Sequence, residues 1–291
     1  MNTPTSAASA QLQQNARSKM LQRLENAVRY PHLIPLWLSW KIQGGSAKDP
    51  ALRMFGMRFQ GFPHFNAFVG ASHYRPRQDE LSLFGNYLTG ARTIFDVGAN
   101  FGIMACLYAK RAPGAEIFAF EPHPVTYATL QGNLKRNGIS NVSTHQLAVG
   151  NREGKVSFTD HGSPASNRIS EVTYLHPTIE VPMTTLDAFV EARGINEIGF
   201  LKIDVEGAEL TVLNGASQTL GQRRVRAGMI ELCPGTLARF GASVDGLLDT
   251  LAGYGYAVFE IDAIGHPGAP ISRGITDPSI LINAVFLPQQ D

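Results

Sequence analysis

Apolar positions along this chain fall into two rhythms, and their alternation predicts an architecture before any single residue is singled out. Short runs rich in β-branched and aromatic residues, TIFDV (93–97), EIFAFEP (116–122), VSTHQLAV (142–149), FLKIDV (200–205), AGMIELC (227–233) and YAVFEID (256–262), read as strands. Between them lie GIMACLYAKRA (102–112), PVTYATLQGNLKRNG (124–138), GAELTVLNGASQTL (207–220) and VDGLLDTLAGYG (244–255), which read as helices. Such alternation predicts a parallel sheet with helices on both faces. Residues 151–198 interrupt it with the strands KVSFTD and TIEVPM, the Ser/Pro/Asn loop HGSPASNRIS and the helix TLDAFVEARG. A last strand, ILINAVFLP (280–288), follows a Gly/Pro connection without helical pattern, so it is expected to pair antiparallel at or near the sheet edge.

The N-terminal part lacks this rhythm. The first 18 residues are rich in Ser, Ala, Gln and Asn, as a frayed start would be, and KMLQRLENAVRY then places Met20, Leu21, Leu24 and Val28 at near-helical spacing. Glycines and aromatics alternate without clear period from Met54 to Tyr74, as in a cap or a short sheet, and DELSLFGNYL (79–88) resumes a helical pattern. The organisation read here is a frayed segment 1–18, an N-terminal helical/aromatic cap or interface region 19–78, and an α/β domain 79–291. The apolar stretch LIPLWLSW falls short of the ~20 residues that span a bilayer, and the N-terminus lacks the apolar core of a signal peptide. A cytoplasmic protein without a transmembrane segment is expected. Its Trp-bearing stretch is read as a helix packed on the main domain rather than a membrane-surface anchor.

Composition narrows the function. With 25 Lys+Arg against 24 Asp+Glu among 291 residues, the net charge of +1 gives no field that would gather nucleic acid. Cys106 and Cys233, each inside an apolar run, read as buried free thiols in a reducing compartment.

The candidate chemistry lies where strands give way to helices, because in such sheets ligands sit beyond the carboxyl ends of the strands. In Asp96-Val97-Gly98-Ala99-Asn100-Phe101-Gly102, Gly98 permits a backbone conformation closed to other residues and a close approach to a ligand, and Gly102 lets the helix pack near its strand. The spacing G-x-x-x-G departs from the dinucleotide fingerprint G-x-G-x-x-G, with Asn100 where a pyrophosphate would need glycine, so a phosphate-poor ligand is favoured. Glu121, closing the next strand, can accept hydrogen bonds from both hydroxyls of a ribose, while Asp96 can fix the loop or meet an ammonium group. A ribose with a cationic amino-acid tail and no pyrophosphate describes S-adenosylmethionine. Further along, LKIDVEGAEL puts Lys202, Asp204, Glu206 and Glu209 within eight residues at a buried strand end, so these charges should converge on the active edge or pair with one another. Glu231 ends the next strand on the same edge. Asp204, Glu206 and Glu231 could offer hard oxygen ligands to Mg²⁺ or Ca²⁺, although no metal site is assigned.

DVGANFG, FEPHP, LAVGN, TLD, LKIDVEGAELTVLNGA and MIEL, in this order, resemble the FkbM-type family of S-adenosylmethionine-dependent methyltransferases. The resemblance implies a seven-stranded Rossmann-like methyltransferase sheet with a reversed last strand, and methyl transfer to an oxygen of a sugar, polyketide or other natural product. It implies a cofactor loop of Asp96, Gly98, Asn100 and Gly102, a ribose ligand in Glu121, and Ala148 near the adenine. It implies that His123, Asp204, Glu206 and Glu231 face the acceptor, a small molecule or glycan. Asp204 or His123 is the candidate general base, with Glu206 orienting the hydroxyl and Lys202 grouped with them as a candidate catalytic residue. Two other classes compete: a nicotinamide-dependent oxidoreductase on the same fold, and a non-catalytic scaffold. The apolar N-terminal region could also supply a homodimer interface.

Overall fold

The computed structural model describes residues 51–62, 78–159 and 178–289, which belong to a single unit beginning at Ala51; the expectations for residues 1–50 and 63–77 and for the Ser/Pro/Asn loop lie outside the described residues. Of the glycine- and aromatic-rich cap, residues 52–59 realise the short-sheet alternative. They form a hairpin of β1 (Leu52–Met54) and β2 (Met57–Phe59), with Leu52 opposite Phe59. Its two-residue turn, Phe55-Gly56, is left-handed at both positions (φ 52° and 72°), the backbone twist that tight hairpins favour.

Helix α1 (Gln78–Leu88) leads into β3 (Thr93–Val97), α2 (Ile103–Arg111), β4 (Glu116–Phe120), α3 (Pro124–Arg136) and β5 (Val142–His145). The run read as one strand, VSTHQLAV, is broken at Gln146-Leu147. Its second half becomes β6 (Ala148–Gly150), which leaves for a separate sheet with β7 (Gly154–Thr159) and β8 (Thr178–Thr185), in the order β6-β8-β7. Helix α4 (Leu186–Ala192) starts at an N-cap made by Thr185, whose hydroxyl accepts the Ala188 N–H at 3.0 Å. After β9 (Phe200–Ile203) the expected single helix 207–220 is two short ones, α5 (Glu209–Asn214) and α6 (Ser217–Gly221). They part at Gly215, where a Cβ would stand 1.8 Å from the Gly150 carbonyl. The chain continues through β10 (Gly228–Leu232), α7 (Pro234–Leu237), a 3₁₀ turn (Ala238–Phe240), α8 (Val244–Gly253), β11 (Tyr256–Ile261), β12 (Pro267–Pro270) and β13 (Ile282–Pro288).

The main sheet has eight strands in the order β12-β11-β13-β10-β9-β3-β4-β5, one more than the expected seven. The additional strand, β12, arises inside the Gly/Pro connection and pairs antiparallel with β11 at one edge. Strands β5, β4, β3, β9 and β10 are mutually parallel, while β13 runs antiparallel to both β10 and β11. The reversed direction is as expected, but β13 is interior, third from the edge with β11 and β12 outside it. Its central Ala284, Val285 and Phe286 are fully buried, and Gly228 on β10 makes room for the Phe286 ring, which would lie 2.0 Å from a Cβ there. Among the described residues no helix is long and apolar enough to cross a membrane. Both cysteines are buried free thiols, as their apolar contexts suggested.

Candidate functional site

Parallel strands β3, β4 and β9 all end at one edge of the sheet, and the residues singled out from the sequence gather there. The loop after β3 is left-handed at Gly98 (φ 83°), Asn100 (φ 49°) and Gly102 (φ 80°); Asn tolerates that region better than most side chains. The Gly98 and Ala99 amides donate to the Phe120 carbonyl at 3.1 and 2.9 Å, which binds the loop to the end of β4. Gly98 takes the backbone conformation expected of it, and both glycines also meet neighbours that the sequence did not identify. A Cβ on Gly98 would stand 1.8 Å from the Asp204 carbonyl oxygen, so glycine is needed for contact with the neighbouring turn. Gly102 faces Leu130 of α3, 2.4 Å from a built Cβ, rather than its own strand.

Glu121, 6% exposed, braces this corner: Oε2 accepts the Asn100 N–H at 3.0 Å and Oε1 accepts the His123 N–H at 2.9 Å. Burial pushes its carboxyl up to about 7 against the pull of these two amides. Asn133, a fully buried polar residue of α3, was not anticipated. Its amide donates to the Phe101 carbonyl at 2.9 Å, and its Oδ1 accepts the Gln60 N–H at 2.8 Å, so it ties the loop to the chain leaving β2. Only a polar side chain at a buried helical position between Leu130 and Leu134 could have signalled it.

The second wall of the corner is the turn after β9. Lys202, opposite Asp96 in the strand register, is 2% exposed and does not reach outward to an acceptor. Its Nζ lies 3.0 Å from Asp204 Oδ2 and 3.4 Å from Asp96 Oδ1, and donates to the Gly98 carbonyl at 3.3 Å. Of the two expected alternatives, convergence on the active edge or pairing among the charges, Lys202 takes the second, with acids on both sides of its ammonium group. Asp96 is wholly buried, which raises its pKa against Lys202, and no donor reaches hydrogen-bond geometry with its Oδ2. Asp204 keeps a quarter of its side chain exposed.

Glu206 and Gly207 follow in the left-handed region (φ 58° and 110°). The turn is held by Glu209, whose Oε1 accepts the Val205 N–H at 3.0 Å and the Gly207 N–H at 3.1 Å; its Oε2, cut off from solvent, has no hydrogen-bond partner. Burial pushes the Glu209 carboxyl up to about 7. Glu231, on β10, is pushed up to about 10 by burial and by the nearby carboxylates of Asp204, Glu206 and Glu209, so those four acids share one neighbourhood. Among the described residues no group of three His, Cys, Asp or Glu side chains is placed to hold a metal ion, so Asp204, Glu206 and Glu231 do not fit as a ligand set.

His123, the N-cap of α3, is 4% exposed, with Nδ1 3.4 Å from Thr126 Oγ1 and its ring beside Phe158. Ala148 is buried in the small sheet with Phe158, Val181, Met183 and Ala208.

The description Methyltransferase FkbM domain matches residues 96–258, which include the loop after β3 and the turn after β9. Curated relatives include Methyltransferase 1 of Beauveria bassiana, 28% identical over 42% of this chain and 57% of its own length. Hexuronic acid methyltransferase AglP of Haloferax volcanii is 29% identical over 50% of this chain and 59% of its own. The 31-O-demethyl-FK506 methyltransferase FkbM of Streptomyces tacrolimicus is 29% identical over 42% and 58%. The matches thus span somewhat over half the length of these relatives. With the family's domain covering more than half of its residues, this chain belongs to the FkbM methyltransferase family.

Proposed function

We propose that this protein transfers a methyl group from S-adenosylmethionine to a hydroxyl oxygen of a small molecule or glycan. The observation that carries the reading is the corner itself. A thrice left-handed loop is braced on Glu121, while Asp96 Oδ2 and Asn100 Oδ1 remain buried without hydrogen-bond partners, as donor-site groups awaiting a ligand would be. The residues fit the group: Asp96, Gly98, Asn100, Gly102 and Glu121 would hold its amino-acid end and ribose, and Ala148 would lie near its adenine. When bound, S-adenosylmethionine supplies an electrophilic methyl on a sulfonium.

What remains for the chain is alignment, worth ~7–11 kcal/mol of barrier in well-oriented reactions, and proton removal, worth 10²–10⁴-fold. Asp204, the partly exposed acid at the junction of the two walls, is the general base of this reading, and Glu206 orients the hydroxyl beside it. Glu231, kept protonated by its neighbours, donates a hydrogen bond to the acceptor. His123, the other candidate base, presents its N–H to Glu121 and so ties the acceptor side of this reading to the ribose ligand. The names of AglP and FkbM, one a hexuronic acid and the other an FK506-type methyltransferase, accord with a hydroxylated acceptor. The buried thiols accord with a cytoplasmic setting.

Calorimetric titration with S-adenosylmethionine, S-adenosylhomocysteine and NAD, beside Glu121→Ala, tests this. Binding of the two adenosyl ligands that is lost in the variant supports the reading. Binding of NAD alone moves the protein to the oxidoreductases, and no binding at all leaves a scaffold.

A further inference from the structure

Lys202 occupies a position in the sheet interior that hydrocarbon would ordinarily fill, and its ammonium faces two carboxylates. Those acids are unequally served. Asp204 has the shorter contact, 3.0 Å, and retains access to water. Asp96 has the longer, 3.4 Å, no exposed surface, and an Oδ2 without a donor in hydrogen-bond geometry. A buried carboxylate that is incompletely paired is costly, and the remedy is a further positive charge nearby. The Gly98 carbonyl, the third group on Lys202 Nζ, turns another negative dipole end toward the same point. The Ala105 N–H, in the first turn of α2, also pulls on Asp96, so that here two carboxyls share one ammonium group and one backbone donor.

We propose that the Asp96–Lys202–Asp204 triad makes the donor site charge-selective, favouring the cationic methyl donor over its neutral demethylated product. This rests on the function proposed above. S-adenosylmethionine and S-adenosylhomocysteine differ by one methyl and one positive charge, so the ratio of their affinities reads the field of the site with shape nearly cancelled. Two carboxyls against one ammonium bias that field toward negative, Asp204 from a partly exposed position and Asp96 from a buried one, and Lys202 limits it while fixing both acids in place. A site with this bias releases its product more readily than one that recognises adenosine and amino acid alone.

The test measures dissociation constants of both ligands by calorimetry at low salt for the wild-type chain, Asp204→Asn and Asp96→Asn, with Asp249→Asn as a control at the exposed Arg273 ion pair. Each triad variant should lower the preference for S-adenosylmethionine over S-adenosylhomocysteine by about ten-fold, equivalent to about 1.4 kcal/mol, and the control should leave it as in wild type. A variant that only loosens the fold weakens both ligands alike and leaves the ratio unmoved. Asp204→Asn decides the matter if Asp96→Asn does not fold, because Asp204 reaches solvent. A ratio unchanged in Asp204→Asn overturns the charge-selective triad, whereas a wild-type chain that binds neither ligand overturns the proposed function instead.

Discussion

Gly98 and Asp204 meet backbone to backbone. A Cβ on Gly98 would lie 1.8 Å from the Asp204 carbonyl oxygen, and the Asp204 amide donates to the Val97 carbonyl at 3.1 Å. The loop after β3 and the turn after β9 are thus a single body, and the groups they carry cannot shift independently. Gly98→Ala inserts a methyl into backbone at a left-handed position (φ 83°). We expect a loss of roughly 3 kcal/mol or more, a fall in Tm of about 10 °C, and loss of S-adenosylmethionine binding. Thermal unfolding within 2 °C of wild type, taking ~1 °C as error, would contradict the contact.

Glu209 holds the Glu206 turn through one oxygen. Glu209→Gln retains a carbonyl acceptor for the Val205 and Gly207 amides, whereas Glu209→Leu leaves both N–H groups without it. Each orphaned donor costs ~1–3 kcal/mol. Denaturant unfolding should therefore rank Gln near wild type and Leu about 2–4 kcal/mol below it, with faster amide exchange at Val205 and Gly207 in the Leu variant alone. Equal exchange in the two variants would remove the clamp.

The buried acids set an unusual pH dependence. Glu121 and Glu209 are pushed up to about 7 and Glu231 to about 10, from 4.5 in each case. Above pH 4.5 the unfolded chain sheds these protons while the folded chain keeps them, so their contribution to stability is full below 4.5 and is lost as pH rises. Glu121 and Glu209 account for the loss up to about 7, and Glu231 alone continues it toward 10. Glu231→Gln should match wild type near pH 4.5 and exceed it by about 2–4 kcal/mol at pH 8, as read from urea unfolding at both values. A variant less stable than wild type at pH 8 would show Glu231 to be ionised in the fold.

Asn133 joins the loop to the exit of β2 through Phe101 and Gln60. Asn133→Ala should destabilise by about 2 kcal/mol and weaken S-adenosylmethionine about ten-fold in a calorimetric titration, since the Phe101 carbonyl loses its anchor. Unchanged affinity would confine Asn133 to packing.

The parallel half of the sheet was legible because β3, β4, β9 and β10 carry apolar runs that close on or just before an acid, and the helices after β3 and β4 keep their period, whereas the helix after β9 breaks at Gly215. The place of β13 was not, since the composition of a connection says that no helix crosses over without saying which strands the chain will separate. The apolar run INAVF carried the missing signal: a strand buried on both faces fits the interior better than an edge. PGAP, which forms β12, has no strand signature and takes its extension from β11. Within the candidate site, the gathering of Asp96 and Glu121 at one edge was legible because each closes a strand of a parallel pair. That Lys202 would pair with a neighbouring acid was legible from its buried strand, but its second partner, Asp96, was not, because it comes from a strand about a hundred residues earlier in the chain. The Glu209 clamp depends on amides presented by a left-handed turn, and no residue spacing announces a left-handed glutamate.

The interior position of β13 fixes an order of assembly. Strands β3, β4 and β5 can pair as they are synthesised, and β9 and β10 extend them from the other side of β3. The hairpin of β11 and β12 must wait, because the strand that joins it to β10 is encoded after it. A nascent chain that has emerged only as far as Pro278 exposes the bare flank of β10 with its unpaired amides and carbonyls, the kind of surface that chaperones recognise and aggregates recruit. Closure is then one late, long-range event, and the flank of β10 is covered only once β13 has been made.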